Sequence, residues 1–141
     1  MSTRVVRLTL PYERPPHSLT ANARPHWSQR SKDTRQVRAD VMRLAQAAGL
    51  HRLSQPCRHL TAGLVWAPGD RVRRDADNLF PLAKACFDAL ARGSRKDLIG
   101  LEIVPDDTPE HLTKLTPVLM PPPAKGMWLE LTLDFGEEAV A

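Results

Sequence analysis

Alternating apolar and polar positions predict several β-strands along the chain. Residues 5–10 and 59–66 place an apolar side chain at every second position, which is the period of a strand with one buried face. A further strand is predicted over residues 112–119. The clearest is 127–135, where one face carries Met127, Leu129, Leu131, Leu133 and Phe135. Four strands with buried faces are therefore expected.

Two segments instead show the 3.6-residue period of a helix. Residues 31–48 place Val37, Val41, Leu44, Ala45 and Ala48 on one face. A second helix is predicted from Asn78 or Leu79 to about Ala91, with Pro81 in its first turn, where a missing N–H costs little. The order β-α-β-α-β-β predicts a single α+β domain over residues 1–141, with a small mixed sheet and two main helices on one face.

Length and composition fit an ordinary soluble globular domain. The chain has 141 residues, of which 42% are hydrophobic and 26% are charged. No apolar run approaches the roughly 20 residues that span a membrane, and no apolar leader follows Met1. The two cysteines, Cys57 and Cys86, match no metal-ligand spacing, so buried thiols in a cytoplasmic protein are expected.

Charge is distributed unevenly between the two halves of the chain. Residues 1–74 contain 14 Lys and Arg against 4 Asp and Glu, whereas residues 75–141 contain 6 against 12. A basic half indicates a polyanionic partner, although solvated surface charge explains the same count. The arginines expected to face such a partner lie on the first helix and before the acidic motif; they are Arg30, Arg35, Arg38, Arg71, Arg73 and Arg74.

Two groups of aspartates are the candidate metal ligands. Asp75 and Asp77 are two residues apart, so an extended segment places both side chains on one side, and Asp106-Asp107 lies at a second turn. We expect both turns at one end of the sheet, where the carboxylates would hold Mg²⁺, which prefers oxygen ligands and suits phosphate chemistry. The alternative is that these aspartates only cap a helix and close turns.

Other residues whose side chains could take part in catalysis or binding also have two interpretations. Lys84 would either stabilise charge on a phosphate or pair with Asp88 four residues on. His26 and Trp27 would either touch nucleic acid by stacking or anchor the N-terminal loop on the core, the latter being favoured. Phe80 and Phe87 are expected in the core. No glycine-rich phosphate loop or Gly-x-Ser-x-Gly motif occurs.

The acidic motif and its surroundings resemble the RusA family of Holliday-junction resolvases. The most specific part is the segment Arg73-Arg74-Asp75-Ala76-Asp77-Asn78-Leu79. Lys84, the run Phe87-Asp88-Ala89-Leu90 and Asp106-Asp107 follow in the family's order, and the resemblance covers nearly the whole chain.

The resemblance implies a homodimeric, Mg²⁺-dependent endonuclease, with Mn²⁺ as a possible substitute, that resolves four-way DNA junctions by paired symmetric nicks. It implies that Asp75, Asp77 and Asp107 bind the metal that activates water, and that Lys84 is the catalytic lysine. No other cofactor and no membrane are implied, and the setting would be a bacterial or phage-infected cytoplasm.

The chain departs from the family pattern in two places, and two rival functions fit the same residues. The lysine comes three residues later after the acidic pair, and the segment between Ala91 and Pro105 is longer, which makes Asp106 a competitor of Asp107 as third ligand. One rival function is a non-catalytic module of the same fold that binds DNA junctions. The other is a structural protein whose basic face meets an acidic protein partner.

Overall fold

A computed structural model of the chain describes residues 2–24, 26–91 and 100–136. Most of the long segment between Ala91 and Pro105 therefore lies outside the described residues. Within them no helix is long and apolar enough to cross a membrane. The two cysteines are buried free thiols, as expected, and burial raises the pKa of Cys86.

Five strands form one mixed sheet. They are β1 (Ser2–Thr9), β2 (His59–Ala67), β3 (Leu112–Lys114), β4 (Val118–Leu119) and β5 (Gly126–Gly136). The sheet order is β1-β5-β2-β3, with β4 also paired to β2. β5 is antiparallel to β1 and β2, whereas β3 and β4 are parallel to β2. With its two helices, the chain has the α+β architecture that the sequence predicts.

The prediction of one continuous strand over residues 112–119 is wrong, because this segment forms two short strands, β3 and β4. Leu112 pairs with Leu60 and Val118 with Val65, so the edge uses one more residue than β2 over this interval. Pro117 lies in the gap, and a proline has no N–H to donate to a neighbouring strand. The interruption keeps both edge strands short.

Two helices cover one face of the sheet. They are α1 (Trp27–Ala47) and α2 (Phe80–Ala91), and α2 follows a 3₁₀ turn, Ala76–Leu79. α1 begins four residues before the predicted start, because the side chain of His26 accepts the N–H of Ser28 and caps the helix. Imidazole is outside the usual set of capping groups, so the sequence pattern missed this start.

The core lies between the helices and the alternating residues of β5. Met127, Leu129, Leu131 and Leu133 are all fully buried on the helix side, as the period of two predicts. On the opposite face Trp128 packs with Val65 and Ala67 in a smaller cluster.

The N-terminal loop is fastened to α1 at Asp40, a buried carboxylate. The Tyr12 hydroxyl donates to its Oδ2 at 2.5 Å, and Gln36 and Arg43 donate to its Oδ1. Burial, together with this hydrogen bond, raises the pKa of Tyr12. These contacts hold the loop against the helix, and its later residues lie beside the acidic motif.

Candidate functional site

Asp75 and Asp77 lie where the chain leaves β2 and enters α2. Asp75 has an extended backbone and one carboxylate oxygen, Oδ1, that accepts the N–H of Asp77 at 3.0 Å. Asp75 thus caps the 3₁₀ turn, which is the structural role that the sequence left open. Both residues are exposed, and within the described residues no further hydrogen bond to either carboxylate occurs. Three carboxylate oxygens of this exposed pair are therefore available to a ligand.

Asn78 joins this acidic corner to the N-terminal loop. Its carbonyl oxygen accepts the N–H of Ala21 at 3.2 Å, and its side-chain Oδ1 accepts the N–H of Asn22 at 3.2 Å. The loop that leads to α1 consequently passes directly beside Asp75 and Asp77. A ligand at the acidic pair would therefore lie close to this loop.

Asp106 and Asp107 lie at the opposite end of the sheet from Asp75 and Asp77. The expectation that both turns share one end is therefore wrong. Because β3 is parallel to β2, the residues that precede β3 lie at the start of β2, near Leu60. Asp75 instead follows the end of β2, where the neighbouring Arg74 lies over the Trp66 ring at 5.0 Å. Leu60 and Trp66 are about 20 Å apart along the strand, at roughly 3.3 Å per residue.

Both aspartates of the second turn have local contacts. Asp107 Oδ2 lies 3.7 Å from Lys114 Nζ, and Asp106 Oδ1 accepts the N–H of Asp107 at 2.7 Å. Across residues 2–24, 26–91 and 100–136, no group of three His, Cys, Asp or Glu side chains is placed to hold a metal ion. The three-carboxylate centre that the resemblance implies is thus not assembled within the described chain.

The remaining donor set still fits Mg²⁺. Asp75 and Asp77 offer hard oxygen donors on adjacent exposed side chains. Mg²⁺ commonly binds through one or two carboxylates, keeps several waters and takes its other ligands from substrate phosphates. An open two-carboxylate corner therefore suits a metal that arrives with, or is completed by, a phosphate group.

Lys84 forms the ion pair with Asp88 that was its structural alternative. Its Nζ lies 3.1 Å from Asp88 Oδ2, while its side chain is 66% exposed. Arg38 Nη1 approaches the same oxygen at 4.0 Å from α1. Lys84 therefore belongs to a charge cluster between the helices, and within the described residues it has no ion pair with Asp77.

Four of the six arginines expected to contact DNA are exposed, namely Arg30, Arg35, Arg71 and Arg73. Arg38 is only 2% exposed and faces Asp88, so its assignment as a DNA-binding residue is wrong. Arg74 is partly covered: its two terminal nitrogens donate to the Asp70 carboxylate at 2.5 and 3.1 Å. The exposed basic surface is correspondingly smaller than the sequence suggests.

The Asp70–Arg74 pair predicts an unusually acidic carboxyl group. Hydrogen bonds from Arg74 and from the N–H of Val72 lower the pKa of Asp70 from 3.8 to about 2. Since the folded pKa is depressed, the contact stabilises the loop above pH 3.8 and is lost as the pH falls from there through 2. We expect carboxyl ¹³C NMR to titrate Asp70 near pH 2, and Arg74→Gln to return the midpoint towards 3.8. A midpoint near 3.8 in the unaltered protein would contradict the pair.

Two exposed aromatic residues depart from the sequence expectations. Trp27 is 75% exposed, so the favoured reading, an anchor on the core, is wrong. Phe80, expected in the core, is 47% exposed and lines a cleft of about 480 Å³ between α1 and α2 with Arg30 and Lys84. Its position directly before Pro81, ahead of the buried run of α2, is the only signal in the sequence that marks it.

Comparison with known proteins leaves the family open. The chain is 34% identical over 96 residues to an uncharacterized protein of Xylella fastidiosa strain Temecula1. The match covers 67% of this chain and 58% of that protein, so the chain spans less than two thirds of the length of its relative. No protein-family model matches the chain.

Proposed function

We propose that the protein is a Mg²⁺-dependent, structure-specific endodeoxyribonuclease that cuts four-way DNA junctions. The observation that carries the proposal is the exposed carboxylate pair Asp75–Asp77, which lies two to four residues after the exposed Arg71 and Arg73. A protein that only binds DNA gains nothing from solvent-facing carboxylates beside its phosphate contacts, because they repel the ligand. Carboxylates next to cations suit a site that holds a metal and a phosphate together.

The residues of this chain have separate tasks in that reaction. Asp75 and Asp77 hold the metal, which when bound neutralises charge on the scissile phosphate and lowers the pKa of a water. Arg71 and Arg73 contact the DNA backbone and set its position. Arg30 and Lys84, which line the cleft beside α2, contact the continuation of the strand. The oxygen of water bonds to phosphorus as one P–O ester bond breaks, and a proton from water ends on the departing oxygen, which leaves a phosphate on one DNA end and a hydroxyl on the other.

A homodimer remains part of the proposal. A four-way junction has approximate two-fold symmetry and needs two symmetric nicks, which a C₂ dimer supplies from two equivalent sites. Within one chain Asp107 stands at the far end of β2 from Asp75. A third carboxylate at the metal would therefore be Asp107 of the second copy.

A cleavage assay on a synthetic four-way junction tests the proposal. With Mg²⁺ we expect paired symmetric nicks in the junction, no nicks in a linear duplex of the same sequence, and no nicks with EDTA. Junction binding without nicking would favour the non-catalytic DNA-binding module. The lack of a three-carboxylate group among the described residues also favours that alternative. Loss of all DNA affinity at moderate salt would favour a protein partner instead.

A further inference from the structure

Trp27 is far more exposed than the other two tryptophans of the chain. It is the first residue of α1 and is 75% exposed, whereas Trp66 and Trp128 are 8% and 7% exposed. The ring of His26 lies 5.5 Å from the indole, and His26 is itself fixed by hydrogen bonds to Ser28. The indole is thus presented to solvent from a capped and well-defined helix start.

The surface around Trp27 is polar and basic. A shallow cleft of about 520 Å³ runs along α1 from Trp27 past Ser31, Lys32 and Arg35, and among the residues that the structure describes no carboxylate lines it. The acids of α1 point elsewhere. Asp33 accepts hydrogen bonds from Ser18 and Gln29, and Asp40 accepts from Tyr12, so both carboxylates are engaged with the protein itself.

We propose that Trp27 stacks against an unpaired nucleobase while Lys32 and Arg35 contact phosphates of the same strand; this inference rests on the proposed function and adds a base-recognition site to it. An aromatic ring next to cations is the usual arrangement for single-stranded nucleic acid, because every base has a π-face and every nucleotide a negative charge. Arg35 and Lys32 lie one to two helical turns from Trp27, along the same surface.

A nucleobase fits this surface better than a membrane does. The apolar residues Val37, Val41 and Ala45 of α1 are buried against the core. That leaves one aromatic ring rather than the continuous apolar face with which a helix inserts into a lipid interface. Stacking on a base requires only the single ring that is present.

The stacking surface lies close enough to the acidic corner to serve the same DNA molecule. Asn22 is hydrogen-bonded to Asn78, next to Asp77, and Trp27 follows Asn22 by five residues. Five residues extend at most about 17 Å. At roughly 3.4 Å per stacked nucleotide, the span from Asn22 to Trp27 corresponds to at most about five nucleotides. An unpaired base near a strand crossover falls in this range.

The test is binding of a short fluorescein-labelled oligothymidine, measured by anisotropy at low salt with EDTA present. We expect Trp27→Ala to weaken binding about tenfold or more, and Trp27→Phe to retain most of the affinity because a ring remains. Val5→Ala is the matched control, since Val5 is an equally exposed apolar residue on β1 and should leave binding unchanged. Unlabelled oligothymidine should also quench the tryptophan emission of the unaltered protein but not of Trp27→Ala.

Equal affinity of the unaltered protein and Trp27→Ala for oligothymidine would overturn the inference. So would Trp27-dependent binding of anionic phospholipid vesicles without any affinity for the oligonucleotide. Because the assay contains no metal and measures no cleavage, its result is separate from that of the proposed function. If the protein nicks junctions but binds oligothymidine independently of Trp27, only the stacking inference is contradicted. If binding depends on Trp27 but no nicking occurs, only the proposed nuclease function is contradicted.

Discussion

Asp77→Asn is expected to reduce junction nicking by more than about 100-fold while leaving junction binding intact. Asparagine has nearly the same shape but lacks the negative charge that holds a divalent cation, and loss of a direct ligand exceeds the 10- to 100-fold cost typical of outer-shell changes. In the described residues the Asp77 carboxylate makes no hydrogen bond that the substitution would break. Affinity for DNA should stay level or rise, since one repulsive charge is removed. Initial nicking rates and gel-shift affinities measure the two effects.

Asp75 provides an internal control for folding. Asp75→Asn keeps an oxygen that can accept the N–H of Asp77, so it should remove nicking without loss of stability. Asp75→Ala removes the cap as well and should lower the free energy of unfolding by about 1 kcal/mol. Nicking by either Asp75→Asn or Asp77→Asn at the rate of the unaltered protein would contradict the metal assignment.

Mixing two inactive variants tests whether Asp107 acts from the second copy. If Asp107→Asn also abolishes nicking, a mixture with Asp77→Asn should regain it, because a mixed dimer has one site with both carboxylates intact. That site would nick only one strand of each junction. Failure of the mixture to recover, when the two variants exchange subunits and form mixed dimers, would contradict the assignment of Asp107 to the metal site of the second copy.

Arg38→Ala should lower the free energy of unfolding by about 3–5 kcal/mol, the usual cost of breaking a buried ion pair. Arg38 is 2% exposed, and its guanidinium lies 4.0 Å from Asp88 Oδ2 between α1 and α2. Truncation leaves the Asp88 carboxylate in a poorly solvated position, with Lys84 as the cation that the described contacts still provide. The loss is a large part of the 5–15 kcal/mol that stabilises an ordinary domain.

Urea unfolding followed by circular dichroism measures this effect, with Arg35→Ala as the matched control. Arg35 is three residues away on the same helix but exposed, so its truncation should change stability by less than about 0.5 kcal/mol. DNA affinity should show the reverse pattern. It should fall for Arg35→Ala, and it should stay unchanged for Arg38→Ala at temperatures where that variant is folded. Equal stabilities of the two variants would contradict the buried pair.

Strict periodicity explains which parts of the fold the sequence predicts. The alternation through Met127 and Leu133 has a single way to bury its apolar face, so β5 and its neighbour β2 follow from the pattern. The start of α1 depends on one side-chain hydrogen bond from His26, and the break between β3 and β4 depends on Pro117. Such local features change where a helix or strand begins and ends, although the apolar pattern of the sequence stays the same.

The candidate site is predicted less completely, because spacing along the chain says little about position in space. Asp75 and Asp77 are neighbours in sequence and remain neighbours in the fold. Asp107 is separated from them by a crossover between parallel strands, which places it at the opposite end of β2. The burial of Arg38 could have been predicted from the sequence. It precedes Val41 by three residues and Ala45 by seven, so it shares their buried face of the helix.

Paramagnetic relaxation by Mn²⁺ tests the central claim, a divalent-metal site at the Asp75–Asp77 pair, most directly. In an ¹⁵N–¹H correlation spectrum, small additions of Mn²⁺ should broaden the amides of residues 75–78 first, with those of Ala21 and Asn22 close behind because they bond to Asn78. Excess Mg²⁺ should restore the signals, and Asp77→Asn should abolish the broadening. Broadening that begins elsewhere, or that survives Asp77→Asn, would contradict the account.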